Sequence, residues 1–141
     1  MNVFLDSSAL AKRYVQELGS EQLEQILSSA SSLGISVICP AEIVSALCRM
    51  RRDRKLSPPQ YVQAKRALLA DIEDSGVIYV TDQVVARATE LLERWPLRSS
   101  DSLHVASAAE WAADLFVSAD AKQCAAARAY GLHVVQLPSG A

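Results

Sequence analysis

Four acidic residues occupy positions where their carboxylates can meet. Asp6 and Asp120 each follow an apolar run of the kind that forms a buried strand, while Glu42 and Asp101 each open a helix-like segment. If the strands form one parallel sheet, their carboxyl ends share an edge, and ligands of such sheets bind at that edge. The placement of these residues therefore predicts one shared acidic site.

Carboxylates gathered in one place repel each other unless a cation lies between them. Two like charges about 4 Å apart cost roughly 4 kcal/mol at an effective dielectric of about 20. A hard divalent cation relieves that repulsion, and Mg²⁺ prefers a few carboxylates together with water and substrate phosphate. The four acids are thus candidates for a Mg²⁺ site.

Each acid taken alone also has a purely structural explanation. Asp6 and Asp120 stand where an N-cap would stand, and Glu42 and Asp101 suit the positive end of a helix dipole. Both explanations remain open for each residue, because the shared site depends on the topology of the sheet.

Length and composition indicate one folded domain over residues 1–141. Half of the 141 residues are hydrophobic, which is enough to bury a core. The net charge of −2 provides no global attraction for nucleic acid, so such binding needs a local basic patch.

The cysteines and the N-terminus favour a cytoplasmic protein. Cys39, Cys48 and Cys124 lie far apart without zinc spacing, as core residues in a reducing compartment would. The N-terminal residues lack the pattern of a signal peptide, and no run approaches the roughly 20 apolar residues of a spanning helix. We therefore expect no membrane partner.

Strand-like and helix-like segments alternate, which is typical of a mostly parallel sheet covered on both faces. Strands are predicted at about 3–5, 35–39, 77–80, 115–118 and 133–137, and helices at about 20–33, 40–55, 58–74, 81–95, 99–113 and 121–130. Gly34 is predicted to close the first of these helices. The expected fold class is an α/β three-layer sandwich with about five strands and a helix pair inserted at about 41–74.

Four short segments carry a resemblance to a known family. They are residues 3–10 (Val-Phe-Leu-Asp-Ser-Ser-Ala-Leu), residues 40–43 (Pro-Ala-Glu-Ile), residues 97–106 (Leu-Arg-Ser-Ser-Asp-Ser-Leu-His-Val-Ala), and residues 118–120 (Ser-Ala-Asp) with a later Gly-Leu at 131–132. In this order and at these spacings, they resemble the PIN-domain ribonucleases, specifically the VapC-like toxins of type II toxin–antitoxin pairs. The Arg-x-x-Asp-x-Leu-His-x-Ala stretch is the most specific of the four.

The resemblance implies a Mg²⁺- or Mn²⁺-dependent endoribonuclease that hydrolyses RNA phosphodiester bonds with a metal-activated water. Its catalytic acids would be Asp6, Glu42, Asp101 and Asp120. Asp6 and Asp101 would bind the metal directly, and Glu42 and Asp120 directly or through water.

The resemblance also implies protein partners, namely a cognate antitoxin and a second copy of the chain in a homodimer. Because a thin sandwich cannot bury every apolar stripe, we expect exposed apolar surface around Leu10, Leu23 and Leu27 and on the helix pair at 41–74.

Several neighbouring residues are candidates to support the site, and each has a structural alternative. Ser8 and Ser118 can hydrogen-bond within the site, or merely start a helix and end a strand. Arg98 can pair with Asp101 or contact phosphate. His104 can act as a general base or, as we favour, pack and hydrogen-bond within the helix layer.

Two groups of basic residues are candidates for contacts with the RNA backbone. Lys12 and Arg13 lie soon after the first strand, and Arg49 and Arg52 belong to the basic run at 49–55. Salt would weaken such contacts. The alternative for the basic run is that cations suit the C-terminal end of a helix dipole.

Other functions fit the sequence less well than ribonuclease activity. A catalytically silent binding module and a DNA-directed nuclease both keep the fold, and the presence of all four acids argues against the former. An aspartyl-phosphate phosphotransferase needs a second acid two residues after the first, where Ser8 stands. A response-regulator receiver needs a lysine after the last strand, and residues 133–138 contain none. The RNA target and the number of metal ions stay open.

Overall fold

A parallel sheet of five strands forms the centre of the computed structural model, which describes residues 1–140. The strands are β1 (Asn2–Leu5), β2 (Ser32–Ser36), β3 (Gly76–Ile78), β4 (Leu115–Ser118) and β5 (Val134–Gln136). They lie in the order β3-β2-β1-β4-β5, and neighbours run parallel. The predicted α/β fold with a five-stranded parallel sheet is confirmed.

Helices cover both faces of the sheet. They are α1 (Ser7–Leu10), α2 (Ser20–Ser28), α3 (Cys39–Arg52), α4 (Pro58–Glu73), α5 (Asp82–Arg94), α6 (Ser99–Glu110) and α7 (Ala121–Ala129). Because side chains alternate across a strand, Val3 and Leu5 pack with α1 to α4, while Phe4 packs with α5 to α7. The result is the predicted three-layer arrangement.

The predicted helix pair is present as α3 and α4, which follow each other between β2 and β3. The start of α4 is set by a capping box between Ser57 and Gln60. The Gln60 backbone N–H donates to Ser57 Oγ at 3.2 Å, and the Ser57 backbone N–H donates to Gln60 Oε1 at 2.8 Å. Pro58 occupies the first helical position, where its missing N–H is harmless.

The prediction for Gly34 is wrong. The helix α2 ends at Ser28, and Gly34 lies inside β2, which begins earlier than the predicted 35–39 strand. A Cβ atom at position 34 would lie 2.6 Å from Cζ3 of Trp111. Glycine is present because the indole ring, just past α6, approaches the strand backbone closely.

The prediction of exposed apolar surface is partly wrong and partly confirmed. Leu10 and Leu23 are buried, and Leu27 is partly buried against the same core. The helix pair at 41–74 does expose large apolar side chains, namely Val62 and Leu69 on α4, and a second pair with the same seven-residue spacing, Val85 and Leu92, is exposed on α5. Within residues 1–140, no helix combines the length and apolar character needed to cross a membrane.

Candidate active site

The predicted site lies where the chain changes direction within the sheet. From β1 the chain proceeds to β2 and β3 on one side, whereas β4 and β5 lie on the other side. A crevice opens at such a switch point beyond the carboxyl ends of the strands, and ligands of parallel α/β sheets bind there. Asp6 directly follows β1, and Ser118 is the last residue of the adjacent β4.

Asp6 is completely buried and accepts hydrogen bonds from neutral donors. Its Oδ1 accepts from the backbone N–H of Ala9 at 2.9 Å, so Asp6 is the N-cap of α1. The Ser8 hydroxyl donates to the carboxylate with distances of 2.8 and 2.9 Å to its two oxygens, and Ser118 Oγ donates to Oδ2 at 2.6 Å. Asp6 therefore caps a helix and, at the same time, lies at the carboxyl end of β1 beside the switch point of the sheet.

Burial raises the pKa of the Asp6 carboxyl above its ordinary value. The nearby His104 and the hydrogen bonds from Ser118, Ala9 and Ser8 lower this pKa, but they offset only part of the lost hydration. Ionised Asp6 is thus a buried negative charge of the kind that a bound cation stabilises.

Glu42 lies in the first turn of α3 and contacts two side chains through one oxygen. Ser7 Oγ donates to Glu42 Oε1 at 2.7 Å, and His104 Nε2 lies 2.5 Å from the same oxygen. Partial burial raises the pKa of Glu42, but the hydrogen bond and charge of His104, assisted by Ser7, outweigh burial and lower it. The environment therefore favours ionised Glu42, in contrast to Asp6.

Asp101 lies in the first turn of α6 and is buried. Its Oδ2 accepts from the backbone N–H and the Nε–H of Arg98, both at 3.3 Å. Its Oδ1 accepts from Nε2 of Gln123 at 3.0 Å. The Arg98 side chain is 83% exposed, so this ion pair lies at the mouth of the site, whereas the Gln123 contact is internal.

Asp120 follows β4 and is the N-cap of α7. Its Oδ1 accepts from the backbone N–H groups of Lys122 at 2.9 Å and Gln123 at 3.4 Å. Its own N–H donates to Ser118 Oγ at 2.9 Å, and Ser118 also contacts Asp6. Asp120 therefore has the capping role expected of an acid in this position and is also linked to Asp6.

The four predicted acids belong to two adjacent hydrogen-bonded groups at one end of the sheet. Ser118 and Gln123 link Asp6, Asp120 and Asp101. Glu42 bonds to Ser7 and His104, and Ser7 adjoins Ser8 in α1. We call this set of side chains the acid network. It comprises Asp6, Glu42, Asp101 and Asp120 with the connecting residues Ser7, Ser8, His104, Ser118 and Gln123.

The chemistry of the acid network fits a hard divalent cation. Within residues 1–140, no group of three or more acidic, histidine or cysteine side chains is arranged to hold a metal. Mg²⁺, however, binds through one or two carboxylates and keeps several waters. Asp6 and Asp101 supply buried carboxylate oxygens of the type that Mg²⁺ prefers, and the raised pKa of Asp6 marks a carboxylate that a cation would stabilise.

A groove of about 600 Å³ adjoins the acid network. Ser7, Ser8 and Glu42 line it together with Arg49 of α3 and Arg98 before α6. Both arginines are exposed. Because a guanidinium group can donate two parallel hydrogen bonds to a phosphate, this groove combines acidic groups with potential phosphate-binding groups.

The other predicted basic residues do not line this groove. Lys12 is buried, and its Nζ lies 3.3 Å from Glu17 Oε1. Arg13 forms an ion pair with Asp71 at 2.8 Å. Arg52 is exposed at the end of α3. RNA contacts by these three residues stay predictions, and those of Lys12 and Arg13 would require ion pairs to break.

Two contacts of the site were not predicted from the sequence: that of Gln123 with Asp101 and that of Ser7 with Glu42. Gln123 stands three residues after Asp120, which places it in the first turn of α7, but nothing in its spacing points to Asp101. His104 was expected to pack and hydrogen-bond within its helix layer. It is buried on α6, but its hydrogen bond reaches Glu42 of α3, a helix that packs on the other face of the sheet. Its role as a general base stays a prediction.

Together, fold and site define a class: a three-layer α/β domain with carboxylates at the switch point of a parallel sheet. The family model of the PIN domain matches residues 3–129, and the chain belongs to the PIN domain family. The family resemblance predicted from the sequence is thereby confirmed. A comparison with curated proteins gives no match.

Several solved structures share the fold. FitAcB from Neisseria gonorrhoeae is 15% identical with a TM-score of 0.72, covering 94% of this chain and 95% of its own. VapC20 from Mycobacterium tuberculosis, a toxin that cleaves the sarcin–ricin loop, is 18% identical with a TM-score of 0.68. The match covers 95% of this chain and 98% of VapC20. A chain of a toxin–antitoxin complex from Klebsiella pneumoniae is 17% identical with a TM-score of 0.67. The match covers 87% of this chain and 90% of that chain. At these identities the likeness shows the fold.

Proposed function

We propose that this chain is a metal-dependent endoribonuclease toxin, acting as one nuclease domain over residues 1–141. The observation that carries the proposal is the acid network at the switch point of the sheet, beside a groove that holds two exposed arginines. Membership of the PIN domain family supports the nuclease class. The toxins among the similar structures support the biological role.

Each acid has a proposed role in this mechanism. Asp6 and Asp101 would hold Mg²⁺, or Mn²⁺ in its place, while Glu42 and Asp120 would contact it directly or through water. When bound, the ion lowers the pKa of a water molecule and stabilises negative charge on the phosphoryl group. Ser8 supports this step because its hydroxyl fixes the orientation of the Asp6 carboxylate.

The basic residues would bind and orient the RNA backbone. Arg49 and Arg98 line the groove and can donate hydrogen bonds to backbone phosphates. Arg52 would extend this basic surface along α3. Lys12 and Arg13 would contribute only after leaving their acidic partners.

The direct test is cleavage of RNA by the purified protein. Cleavage should require Mg²⁺ or Mn²⁺ and stop with EDTA, and cleavage undiminished by EDTA would contradict the mechanism. Asp6→Asn and Asp101→Asn should each lower the rate about 100-fold or more, the scale of losing one preorganised electrostatic group. The matched control is Asp82→Asn, which changes an exposed acid in the first turn of α5 and should leave cleavage intact.

Two alternatives are distinguished by the same assay. Matched RNA and single-stranded DNA oligonucleotides separate a ribonuclease from a DNA-directed nuclease, because only the latter cleaves the DNA. A catalytically silent module would bind RNA without cleaving it under any metal condition. RNA-selective cleavage that is lost in Asp101→Asn is the result expected here.

We also propose that a cognate antitoxin inhibits this chain. A basic side chain of such a partner would be attracted to the acid network and would compete with metal. Expression of the chain alone should slow bacterial growth, and co-expression of the antitoxin should relieve the effect. Equal growth with wild type and Asp101→Asn, at equal protein levels, would contradict the toxin role.

A homodimer completes the proposed assembly. Exposed apolar pairs on α4 and α5 are candidates for its interface. Light scattering of the purified protein measures this directly. A strict monomer at micromolar concentration would remove the homodimer without affecting the nuclease proposal.

A further inference from the structure

Gln123 connects two of the acids from a buried position. It lies in the first turn of α7 and is only 4% exposed. Its backbone N–H donates to Oδ1 of Asp120 at 3.4 Å, so the N-cap of α7 helps to hold the Gln123 backbone in place. Its side chain reaches from there to Asp101 on α6.

The contact between Gln123 and Asp101 is an oriented hydrogen bond inside the protein. Gln123 Nε2 donates to Asp101 Oδ1 at 3.0 Å. The other carboxylate oxygen is 3.3 Å from Arg98 Nε, whose side chain is largely exposed. Of the two side-chain donors to Asp101, Gln123 is therefore the one shielded from solvent.

A second observation at Gln123 points to a ligand. Its Oε1 is buried, and no donor within residues 1–140 bonds to it. Buried polar atoms nearly always have a hydrogen-bond partner, from the protein or from ordered water. Because Oε1 belongs to the amide that contacts Asp101, a water molecule held in an occupied site could supply the missing donor.

We propose that Gln123 is a positioning residue for cation binding at Asp101. Its Nε2–H orients the carboxylate, and its Oε1 accepts from a water molecule bound in the site. Side chains that orient a metal ligand typically change metal affinity or activity by about 10–100-fold when mutated. The inference rests on the proposed function, since the site in question is the proposed metal site.

The experiment measures Mn²⁺ binding by calorimetry, without RNA. Gln123→Met keeps the length of the side chain but removes both polar atoms. It should weaken Mn²⁺ binding by about tenfold or more, while the melting temperature in EDTA stays equal to or above that of wild type. Ser107→Ala is the matched control, because it removes another buried, unpartnered polar atom from the helix that carries Asp101. Its Mn²⁺ affinity should equal that of wild type.

Activity gives a second readout. Raising Mn²⁺ should restore cleavage in Gln123→Met but not in Asp101→Asn, because only the latter loses the ligand itself. Equal Mn²⁺ affinity of wild type and Gln123→Met would overturn the inference and leave the nuclease proposal intact. Binding of Mn²⁺ that depends on Gln123, without any RNA cleavage, would support the inference while contradicting the proposed function.

The remaining outcomes are also decisive. Failure of wild type to bind Mn²⁺ would overturn both the inference and the metal mechanism. If Gln123→Met does not fold, Gln123→Leu takes its place with the same expectations. If neither variant folds, Gln123 is a structural residue and the inference is wrong.

Discussion

His104 Nε2 lies 2.5 Å from Glu42 Oε1, and this contact joins α6 to α3 within the acid network. His104 is buried, whereas the Glu42 side chain is about a third exposed at 36%. The imidazole lowers the pKa of Glu42 and opposes the burial that raises the pKa of Asp6. One residue of the helix layer thus influences the ionisation of two acids on different elements.

Replacing His104 should therefore raise the pKa of Glu42. Burial raises that pKa, and the charge of His104 lowers it. His104→Gln removes this charge but keeps a hydrogen-bond donor, so the effect of burial should dominate. Titration of the glutamate carboxyl carbons by NMR measures the change. His133→Gln, at the exposed second histidine, is the control and should leave Glu42 unaffected. An unchanged Glu42 pKa in His104→Gln would contradict this account.

The lowered pKa of Glu42 also affects stability. A carboxyl with a depressed pKa in the folded state stabilises the protein above its unfolded pKa, here near the ordinary value of 4.5. This contribution is lost as the pH falls from there through the folded pKa. In His104→Gln, the stability lost as the pH falls below about 4.5 should be smaller, as measured by thermal unfolding in EDTA.

Asp6→Asn should raise stability at neutral pH in EDTA. The pKa of Asp6 in the folded state is raised above 3.8, so proton binding by this carboxyl favours folding. That contribution to stability is present at low pH and is lost as the pH rises through the folded pKa. Removing the charge should increase the melting temperature by a few degrees, since about 1 kcal/mol corresponds to roughly 3 °C in a domain of this size. The gain should shrink on acidification. A large loss of stability would instead show that Asp6 serves mainly as a helix cap.

Arg49→Ala and Arg98→Ala should weaken RNA binding. Each removes one guanidinium group from the groove beside the acid network. In an Asp101→Asn background, where RNA stays intact, fluorescence anisotropy at several salt concentrations measures the effect. Each lost phosphate contact should reduce the slope of log affinity against log salt by about 0.7. The control is Arg66→Ala, which removes an exposed arginine from α4. If it weakens RNA binding as much as the groove variants do, the loss reflects only the change in net charge.

Gly34→Ala should destabilise the protein. The added Cβ would lie 2.6 Å from the Trp111 ring, and overpacking of this kind costs about 1–3 kcal/mol. Gly76→Ala provides a matched control on the neighbouring strand, since its Cβ would meet nothing closer than 3.5 Å. Thermal unfolding of both variants compares them. Equal stability of the two would mean that the Trp111 ring moves aside at little cost.

The positions of Asp6 and Asp120 relative to the strands could be predicted from the sequence alone. Short apolar runs between helical patterns indicate buried parallel strands, and the residue that follows such a strand lies at its carboxyl end. The cap at Ser57 is likewise a local feature, because capping depends on residues within one turn.

Only the tertiary structure decided which side chains meet. Ser7 and Ser8 are adjacent in the chain, yet Ser7 donates to Glu42 and Ser8 to Asp6, because successive residues of a helix point about 100° apart. The contact of His104 with Glu42 spans 62 positions in the chain.

The contacts of Gly34 and Gln123 likewise could not be predicted from the sequence. Glycine suits both a helix end and a close approach, and only the position of Trp111 decided between them. Gln123 has an ordinary helical spacing, and its contact with Asp101 follows from the way α7 packs beside α6. Sequence patterns indicated which helices and strands form and in what order, because periodicity and capping depend on neighbouring residues. Contacts between elements depend on packing across the whole domain, and that is why the connections within the acid network emerged only from the folded structure.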